Sequence, residues 1–248
     1  RPPLPEHRRI AAILDKADAI RRKRQETICL TEEFLRSVFL DMFGDPVTNP
    51  KGWEVKTIGE TGSSVQIGPF GSLLHKEDYV SDGIHLINPK HIVNGEIVVG
   101  KEESITEEKA EELGNYLLQV NDIIMGRRGE MGRCAMVASE HTGMLCGTGS
   151  LYIRPNFEEI TPLYLSKVIS SPTMKAYLEK IAWGATMPNL NQGMIRSLSV
   201  PMPPISLQRK FSAFADAIKT QMNRQGSQQT EMVILFYSLV QRAFRGDL

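Results

Sequence analysis

The feature that most constrains the fold of this chain is a stretch near its start that returns near its end. The first copy begins at Pro2-Pro3 and the second at Pro203-Pro204, and each residue of the first copy corresponds to the one 201 positions later. Identical residues recur far along both copies: Arg8 and Arg209, Asp15 and Asp216, and Phe43 and Phe244. A correspondence held over about 40 residues indicates an internal repeat, so the chain contains one structural unit twice.

Each copy predicts one long amphipathic helix. The paired prolines impose an extended entry, and apolar residues then recur at steps of three and four. The predicted stripes are Ile10, Ile13, Ala17, Ile20, Ile28, Leu35, Val38 and Met42 in the first copy and Phe211, Phe214, Ile218, Met222, Met232, Leu235, Leu239 and Ala243 in the second. Gly44 and Gly246 suit the two helix ends.

The two helices are expected to pack against each other. Both have polar middles, at 21–26 and 224–229, and an isolated helix of this kind is marginal in water without a packing partner. The first helix leads into the intervening sequence and the second leads out of it, so we predict an antiparallel coiled coil. Each helix would be about 57 Å long at a rise of about 1.5 Å per residue.

The sequence between the repeats predicts one mixed α+β domain. Strands are expected at 53–58, 84–87, 122–125, 134–138 and 151–154, and helices at 106–113, 163–169 and 174–181. Thr106 is the predicted cap of the first of these helices, with Lys109 as its reach-back partner. The resulting organisation is a first helix at 1–46, a globular domain at 47–200 and a second helix at 201–248.

The position of Arg1, one residue before the repeated unit, predicts a longer protein. In the second copy the matching prolines follow directly on a globular domain. We therefore expect another globular domain ahead of Arg1, in the order domain, helix, domain, helix.

Composition restricts the class of partner and the compartment. The 29 basic and 29 acidic residues cancel, which argues against a nonspecific coat on a polyanion but leaves room for a local DNA-binding patch. The three cysteines are far apart and form no Cys-x-x-Cys pair, so zinc and disulfide frameworks are not expected and a reduced, cytoplasmic setting fits. No apolar run approaches the length of a membrane span.

Catalytic motifs are absent from the sequence. There is no phosphate-binding loop for a nucleoside triphosphate and no Asn/Asp-Pro-Pro-aromatic motif for base methylation, the nearest approach being Asn88-Pro89-Lys90. The five histidines show no metal-ligand spacing. Glu107-Glu108-Lys109 has the letters of a nuclease site, but it is interpreted as the charged face of a helix. We expect no catalytic residue, no metal and no cofactor in this chain.

Polar and basic loop residues instead indicate binding to nucleic acid. Gly126-Arg127-Arg128-Gly129 places two guanidinium groups after a strand, where arginine can read guanine or clamp phosphate, although a solvated hairpin tip explains the pair equally well. Asparagine and glutamine on the loop that ends the domain can read adenine, although turn chemistry alone explains them better. The candidate DNA-binding residues, expected on one face, are Gly68, Phe70, Gly71, Ser72, His75, Lys76, Lys90, Arg127, Arg128, Thr186, Asn189, Asn191 and Gln192.

The whole pattern resembles the specificity subunit of type I restriction-modification systems. The repeated helix around one domain carries the resemblance more than any single motif. The motifs that add to it are Pro5 to Ala11 with its echo at Pro203 to Phe211, Gly52-Trp53, Ile58-Gly59-Glu60, Gly68-Pro69-Phe70-Gly71-Ser72, Asp122-Ile123-Ile124 and Leu198 to Pro204. The resemblance implies that 47–200 is a target recognition domain for double-stranded DNA and that the helices form a spacer.

The resemblance also implies a division of labour. The subunit would read one half of a bipartite target, methyltransferase subunits would dock on the spacer, and a restriction subunit would join them. The chain itself would perform no chemistry; S-adenosylmethionine, ATP and magnesium would belong to those partners. Such subunits usually carry two recognition domains, so this chain is either the C-terminal half of one or a half-subunit that acts as a homodimer through its helices.

Two alternatives come from other classes. The chain could be the recognition fragment of a DNA methyltransferase or nuclease, although such a protein has no need of the helix repeat. It could also be a coiled-coil assembly scaffold with no role at DNA.

Overall fold

The computed structural model describes residues 4–100, 103–182 and 189–222. The chain divides into two compact units. One contains Arg1–Asp41 and Ala213–Leu248, and the other is Met42–Ser212. In the described part of the chain no helix has both the length and the apolar character needed to cross a bilayer.

The first unit is helical. Helix α1 covers Leu4–Phe43, 40 residues, or about 60 Å, so the predicted first helix is confirmed. Toward its C-terminal end the half-buried residues follow steps of three and four: Ile28, Thr31, Leu35, Val38 and Met42. The side chains of Ile10, Ile13 and Ala17 lie outside the described residues.

The second repeat is helical over 205–222, here called α6. Phe211 and Ala215 are buried, and Ile218 and Met222 are half-buried. Phe214, a predicted member of the stripe, is 39% exposed, and its ring lies 6.1 Å from that of Phe34 in α1. The remaining predicted residues of this stripe lie outside the described residues: Met232, Leu235, Leu239 and Ala243.

The second unit is the mixed α+β domain that the sequence predicts. Its strands are β1 Val55–Thr57, β2 Ser64–Ile67, β3 Tyr79–Val80, β4 Ile84–Ile87, β5 Ile92–Val93, β6 Glu96–Ile97, β7 Ser104–Ile105, β8 Ile123–Gly126, β9 Cys134–Met136, β10 Leu145–Cys146, β11 Ser150–Arg154 and β12 Ser199–Pro201. Its helices are α2 Glu107–Glu112, α3 Pro162–Ser170, α4 Pro172–Ala182 and α5 Gln192–Arg196. Short 3₁₀ turns include Gly71–Leu73, Lys76–Asp78 and Pro89–His91.

Two four-stranded sheets form the centre of the described domain. One has the order β2-β11-β8-β9 and is antiparallel throughout. The other has the order β10-β4-β7-β3, in which β10 and β4 run parallel. Strand β8 is buried along its whole length, and its apolar Ile-Ile-Met run packs in the core as a central strand should. The predicted strands at 84–87, 122–125 and 151–154 are confirmed to within a residue or two.

A buried ion pair closes one end of the antiparallel sheet. Asp122 is 1% exposed, and its two oxygens accept hydrogen bonds from Arg154 Nε and Nη2, each at 2.8 Å. The backbone N–H of Gln119 donates to the same carboxylate at 2.8 Å. A buried carboxylate is tolerated only when it is paired and hydrogen-bonded in this way.

The start and end of the domain meet. Strands β1 and β12 pair antiparallel, Trp53 Nε1 donates to the Phe43 carbonyl at 2.9 Å, and the Phe43 ring stacks edge-on against Phe211 with centroids 5.6 Å apart. Gly44 adopts φ +79°, the left-handed conformation expected one residue past a helix, as predicted.

Helix α2 shows one correction. Thr106 caps it as predicted, accepting from the Lys109 N–H at 3.2 Å. Lys109 does not reach back to the cap through its side chain. Its ammonium pairs instead with Glu112 at 3.0 Å, because a residue three positions further along lies on the same helix face.

Candidate nucleic-acid interface

Two of the predicted loops leave the same end of the antiparallel sheet. Strand β11 lies between β2 and β8 and runs opposite to both, so the end of β2, the start of β11 and the end of β8 coincide. The Gly68 N–H donates to the Ser150 carbonyl at 3.0 Å, and the Arg127 N–H donates to the Gly149 carbonyl at 3.0 Å. The loop after Gly68 and the loop after Gly126 are therefore held one strand apart.

A third segment reaches this place from the other sheet. Residues 88–91, here called the corner, follow β4. The Asn88 side-chain oxygen accepts from the Gly149 N–H at 3.3 Å, and the Gly147 N–H donates to the Ile87 carbonyl at 3.0 Å. These bonds bring the Lys90 segment to the sheet end that carries Gly68 and Arg127.

Close backbone packing explains the glycines at this junction. A Cβ added at Gly68 would lie 2.0 Å from the Gly147 carbonyl oxygen, and one at Gly147 would lie 2.3 Å from the Asn88 Oδ1. A Cβ added at Gly149 or at Gly126 would lie 3.0 or 3.2 Å, respectively, from the nearest side-chain atom of Pro89. We call Gly68, Gly126, Gly147 and Gly149 the glycine seam. The absence of side chains at these four positions lets three segments of the chain meet.

A fourth segment, residues 190–192 at the start of α5, forms hydrogen bonds with the same loops. The Leu190 N–H donates to the Arg127 carbonyl at 3.0 Å, and Arg127 Nε donates to the Leu190 carbonyl at 3.0 Å. Gln192 Nε2 donates to the Val65 carbonyl in β2 at 2.6 Å. Four segments that are far apart in sequence thus converge on one end of the sheet.

The two neighbouring arginines have different environments. Arg127 is 9% exposed, and its pKa is lowered by burial and by the positive charge of Arg128. Its Nε is already used by the Leu190 carbonyl. Arg128 is exposed and takes part in no hydrogen bond or ion pair with the residues that the structure describes. Of the two, Arg128 is the one available to a ligand.

Lys90 is presented beside a carboxylate. Its ammonium lies 2.8 Å from Glu103 Oε1, while Asn88 Nδ2 donates to Glu103 Oε2 at 2.7 Å. Burial opposes the ionisation of Glu103, but the hydrogen bonds from Lys90 and Asn88 outweigh it and lower the pKa of the carboxyl. A phosphate approaching Lys90 would therefore compete with Glu103.

The loop from Gly68 to Lys76 presents exposed side chains. Phe70 is 62% exposed and precedes Gly71, whose φ is +63°. His75 and Lys76 are also exposed, at a 3₁₀ turn where Asp78 accepts from the His75 N–H at 2.6 Å. Among the described contacts, none ties His75 or Lys76 to the sheet end.

The polar loop residues before α5 are largely used within the protein. Asn191 caps α5, accepting from the Met194 N–H at 2.9 Å, so a helix follows where the sequence predicted only a loop. Asn189 has a buried side-chain oxygen without a hydrogen-bond partner among the described residues. The side chain of Ser72 and all of Thr186 lie outside the described residues.

Sequence reasoning missed Asn88, Glu103 and Glu130 as members of this region. Glu130 pairs with Arg133 at 2.9 Å. Their spacing of three residues was the only local feature of the sequence that could have predicted this ion pair. No group of three or more potential metal ligands occurs within the described ranges.

Comparisons with known proteins give the family. A model described as type I restriction modification DNA specificity domain matches residues 50–231. The chain is 27% identical over 178 residues to the type I restriction enzyme EcoBI specificity subunit of Escherichia coli, covering 69% of this chain and 37% of that subunit. It is 29% identical over 165 residues to the MjaIX specificity subunit of Methanocaldococcus jannaschii, covering 66% of this chain and 37% of the relative.

Solved structures share the fold. The HsdS subunit from Thermoanaerobacter tengcongensis superposes with a TM-score of 0.55 at 21% identity, over 100% of this chain and 60% of that one. The S subunit of a type I restriction-modification system from M. genitalium superposes with a TM-score of 0.55 at 15% identity. The match covers 92% of this chain and 58% of that one. The chain thus spans less than two thirds of the length of each of these relatives. Because the family model covers most of the sequence, the chain belongs to the type I restriction modification DNA specificity domain family.

Proposed function

We propose that this chain is a DNA-recognition subunit of a type I restriction-modification complex. The family match over residues 50–231 carries the proposal. In it, the domain at 47–200 reads one half of a bipartite target in double-stranded DNA. The helices at 1–46 and 201–248 form the spacer on which methyltransferase subunits dock, and a restriction subunit completes the assembly.

The converging loops support DNA contact by this domain. Recognition of a duplex needs phosphate anchors that fix register and base readers that carry sequence information. Arg128 is exposed and has no hydrogen-bond or ion-pair partner among the described residues, which suits it to a base edge or a phosphate. Lys90 at the corner suits a phosphate. The loop with Gly68, Phe70, Gly71, Ser72, His75 and Lys76 would extend the contact, while Arg127, Asn191 and Gln192 would hold the loops that carry it. Asn189 and Thr186 stay proposed members of the DNA-binding face.

Two ring contacts support an antiparallel pairing of the helices. Phe34 in α1 meets Phe214, with ring centroids 6.1 Å apart, and Phe43 meets Phe211 at 5.6 Å. Residue numbers rise along one helix as they fall along the other, as antiparallel helices require. A rod of about 60 Å would separate two recognition domains by more than one turn of duplex, which is about 34 Å.

The chemistry is assigned to the partners. We propose that S-adenosylmethionine, ATP and magnesium bind to the methyltransferase and restriction subunits, and that this chain alone neither methylates nor cleaves DNA. A reduced, cytoplasmic setting agrees with three free cysteines, of which Cys134 and Cys146 are buried. Burial raises the pKa of the Cys134 thiol to about 11, so it stays protonated and unreactive.

The test is a binding assay of the purified chain on random duplexes, alone and with a methyltransferase subunit. We expect sequence-selective retention of DNA in the assembled complex, and methylation at one recurring half-site. Label transfer from S-adenosylmethionine by this chain alone would instead support the methyltransferase-fragment alternative. Assembly without any selectivity for DNA sequence would support the scaffold alternative.

A further inference from the structure

We infer that Glu130 is a positioning residue for Arg128. The loop that joins β8 to β9, residues 127–133, is here called the β8–β9 loop. Its tip carries Arg128, and Glu130 fixes the tip by bridging it to α4. The inference rests on the proposed function, because Arg128 contacts DNA only if this domain does.

The near side of the β8–β9 loop is fixed by Arg127. Its backbone N–H donates to the Gly149 carbonyl, and its backbone carbonyl accepts from the Leu190 N–H, each at 3.0 Å. Its side-chain Nε donates to the Leu190 carbonyl at 3.0 Å. The residue immediately before Arg128 therefore has little conformational freedom.

The far side is fixed by packing. Met131 is 2% exposed, and the Gly126 N–H donates to the Arg133 carbonyl at 3.0 Å. Gly132 has φ +72°, and a Cβ there would lie 2.7 Å from Lys175 Cγ and 3.0 Å from the Ile169 carbonyl oxygen. The loop thus lies directly on α3 and α4 just after its exposed tip.

The tip itself is held by the Glu130 carboxylate. Its Oε1 lies 2.9 Å from the Lys175 ammonium in α4, and its Oε2 accepts from Arg133 Nε at 3.1 Å and Nη2 at 2.9 Å. Arg133 Nη1 continues to the Pro89 carbonyl in the corner, at 3.3 Å. Hydrogen bonds from Lys175 and Arg133 lower the pKa of Glu130, so this bridge is present at neutral pH.

Glu130 also controls the charge that DNA would meet. It is about half exposed, with 48% of its side chain accessible, and it neutralises part of the charge of Lys175 and Arg133. Replacing it with glutamine removes one negative charge and releases two cations from their shared carboxylate. General attraction to phosphate should increase, while the orientation of Arg128 becomes less defined and discrimination between base sequences falls.

Nonspecific binding should therefore increase while sequence discrimination decreases. This combination distinguishes a positioning residue from one that only stabilises the fold or only contributes charge. A residue that only stabilised the fold would weaken binding to every duplex by the same factor. A residue that acted only through its charge would strengthen binding to every duplex alike. Only a positioning residue strengthens nonspecific binding while it reduces the ratio between cognate and noncognate duplexes.

The experiment compares Glu130→Gln with Glu111→Gln, which removes the same charge from the exposed face of α2. Amide hydrogen exchange on the complete chain, without DNA, is the first measurement. We expect exchange at Gly126 and Arg133, whose N–H groups donate to the Arg133 and Glu130 carbonyls, to rise by up to about fivefold in Glu130→Gln, because local opening becomes easier, and to stay unchanged in Glu111→Gln. Unchanged exchange at these amides in Glu130→Gln overturns the inference.

The second measurement uses the complex assembled with methyltransferase subunits, on the duplex that it methylates and on a scrambled duplex. In Glu130→Gln we expect the affinity ratio to fall by up to about fivefold, the range of a partly exposed ion pair, and binding to the scrambled duplex to tighten. A wild-type complex without discrimination refutes the proposed function itself. A wild-type complex that discriminates, with an equal ratio in Glu130→Gln, refutes only the role of Glu130.

Discussion

The corner and the β8–β9 loop meet at the same glycine seam, yet they present their cations differently. In the corner, the Lys90 ammonium lies 2.8 Å from Glu103, so the positive charge is partly neutralised where it is displayed. In the β8–β9 loop, the carboxylate of Glu130 is occupied by Lys175 and Arg133, and Arg128 stands beyond it. A ligand of Lys90 must therefore displace a carboxylate, whereas Arg128 has no ion-pair partner within the described part of the chain.

We propose that this difference gives the two segments separate tasks in DNA binding. A cation that exchanges a carboxylate for a phosphate gains little net energy and is insensitive to sequence, as a register-fixing contact should be. A guanidinium on a fixed loop loses little freedom on binding and can satisfy the two acceptors of a guanine edge. Both segments are positioned by the close backbone packing at the glycine seam, so damage to the seam should disturb both.

Substitution Gly68→Ala should have the largest effect. A Cβ at this position would lie 2.0 Å from the Gly147 carbonyl oxygen, and backbone cannot give way as a flexible side chain does. We expect the free energy of unfolding to fall by about 3 kcal/mol or more, at the upper end of overpacked sites. Gly114→Ala is the matched control, because a Cβ there has no neighbour within 4 Å. Chemical denaturation measures both, and equal stabilities would show that the seam is not tightly packed.

Substitution of the two arginines should distinguish a residue that stabilises the loop, Arg127, from a residue that contacts DNA, Arg128. Arg128→Ala should leave the fold intact and cost about 1–3 kcal/mol on the cognate half-site, with relaxed specificity there. Arg127→Ala should instead lower the free energy of unfolding, because it removes the side-chain hydrogen bond to the Leu190 carbonyl. Binding curves on cognate and scrambled duplexes, with melting of each variant, check both. Equal effects of the two substitutions on stability and on specificity would remove the distinction.

The two arginines also show what sequence could and could not predict. Helix α1 and strands β4, β8 and β11 were identified because their signal is local: a run of apolar residues with one period. Arg127 is held by a hydrogen bond to the Leu190 carbonyl, 63 residues away. The sequence near Arg127 does not predict this contact. Asn191 was expected on an open loop, whereas it caps α5. The side-chain amide of an asparagine can cap a helix or contact a base edge, so only the folded structure distinguishes the two roles.

The glycine seam was hidden for a similar reason. Gly68, Gly147 and Gly149 are read locally as turn formers, although none of the three has a positive φ. Their need for a missing Cβ arises from other segments that pass within contact distance. A single sequence gives no register between those segments, so the convergence of the loops could be expected from the function but not placed residue by residue.

Substitution Glu103→Gln at the corner should have a smaller effect, on DNA binding rather than on the fold. Without the Glu103 carboxylate, Lys90 loses this ion pair and the local charge becomes more positive. Nonspecific duplex binding should therefore tighten, and the salt dependence should steepen by up to about one unit of slope. Lys90→Ala should change both quantities in the opposite direction. A salt titration of the assembled complex measures the slope, with Glu111→Gln as the control for charge. An unchanged slope in both variants would exclude Lys90 from phosphate contact.

The smallest effect concerns the pH dependence of the corner. His91 is 8% exposed, and its Nδ1 accepts from the Asn88 N–H at 3.1 Å, which requires that nitrogen to be unprotonated. Burial lowers the pKa of His91, Glu103 opposes this by raising it, and the charges of Lys90 and His85 add to the lowering. The folded protein therefore binds a proton at His91 less readily than the unfolded chain does. The free energy of unfolding should then decrease as pH falls through about 6.5, the ordinary histidine value, and level off below the folded pKa.

We expect a loss of less than about 1.4 kcal/mol per pH unit across that window. His91→Gln is the informative variant, because its side-chain oxygen can accept from Asn88 without titrating. The free energy of unfolding at pH 7.5 and at pH 5.5 should differ in the wild-type protein, and this difference should be smaller in His91→Gln. Since Glu103 titrates below this range, it does not contribute to the step. An equal pH dependence in the two proteins would show that the imidazole of His91 does not hold the corner.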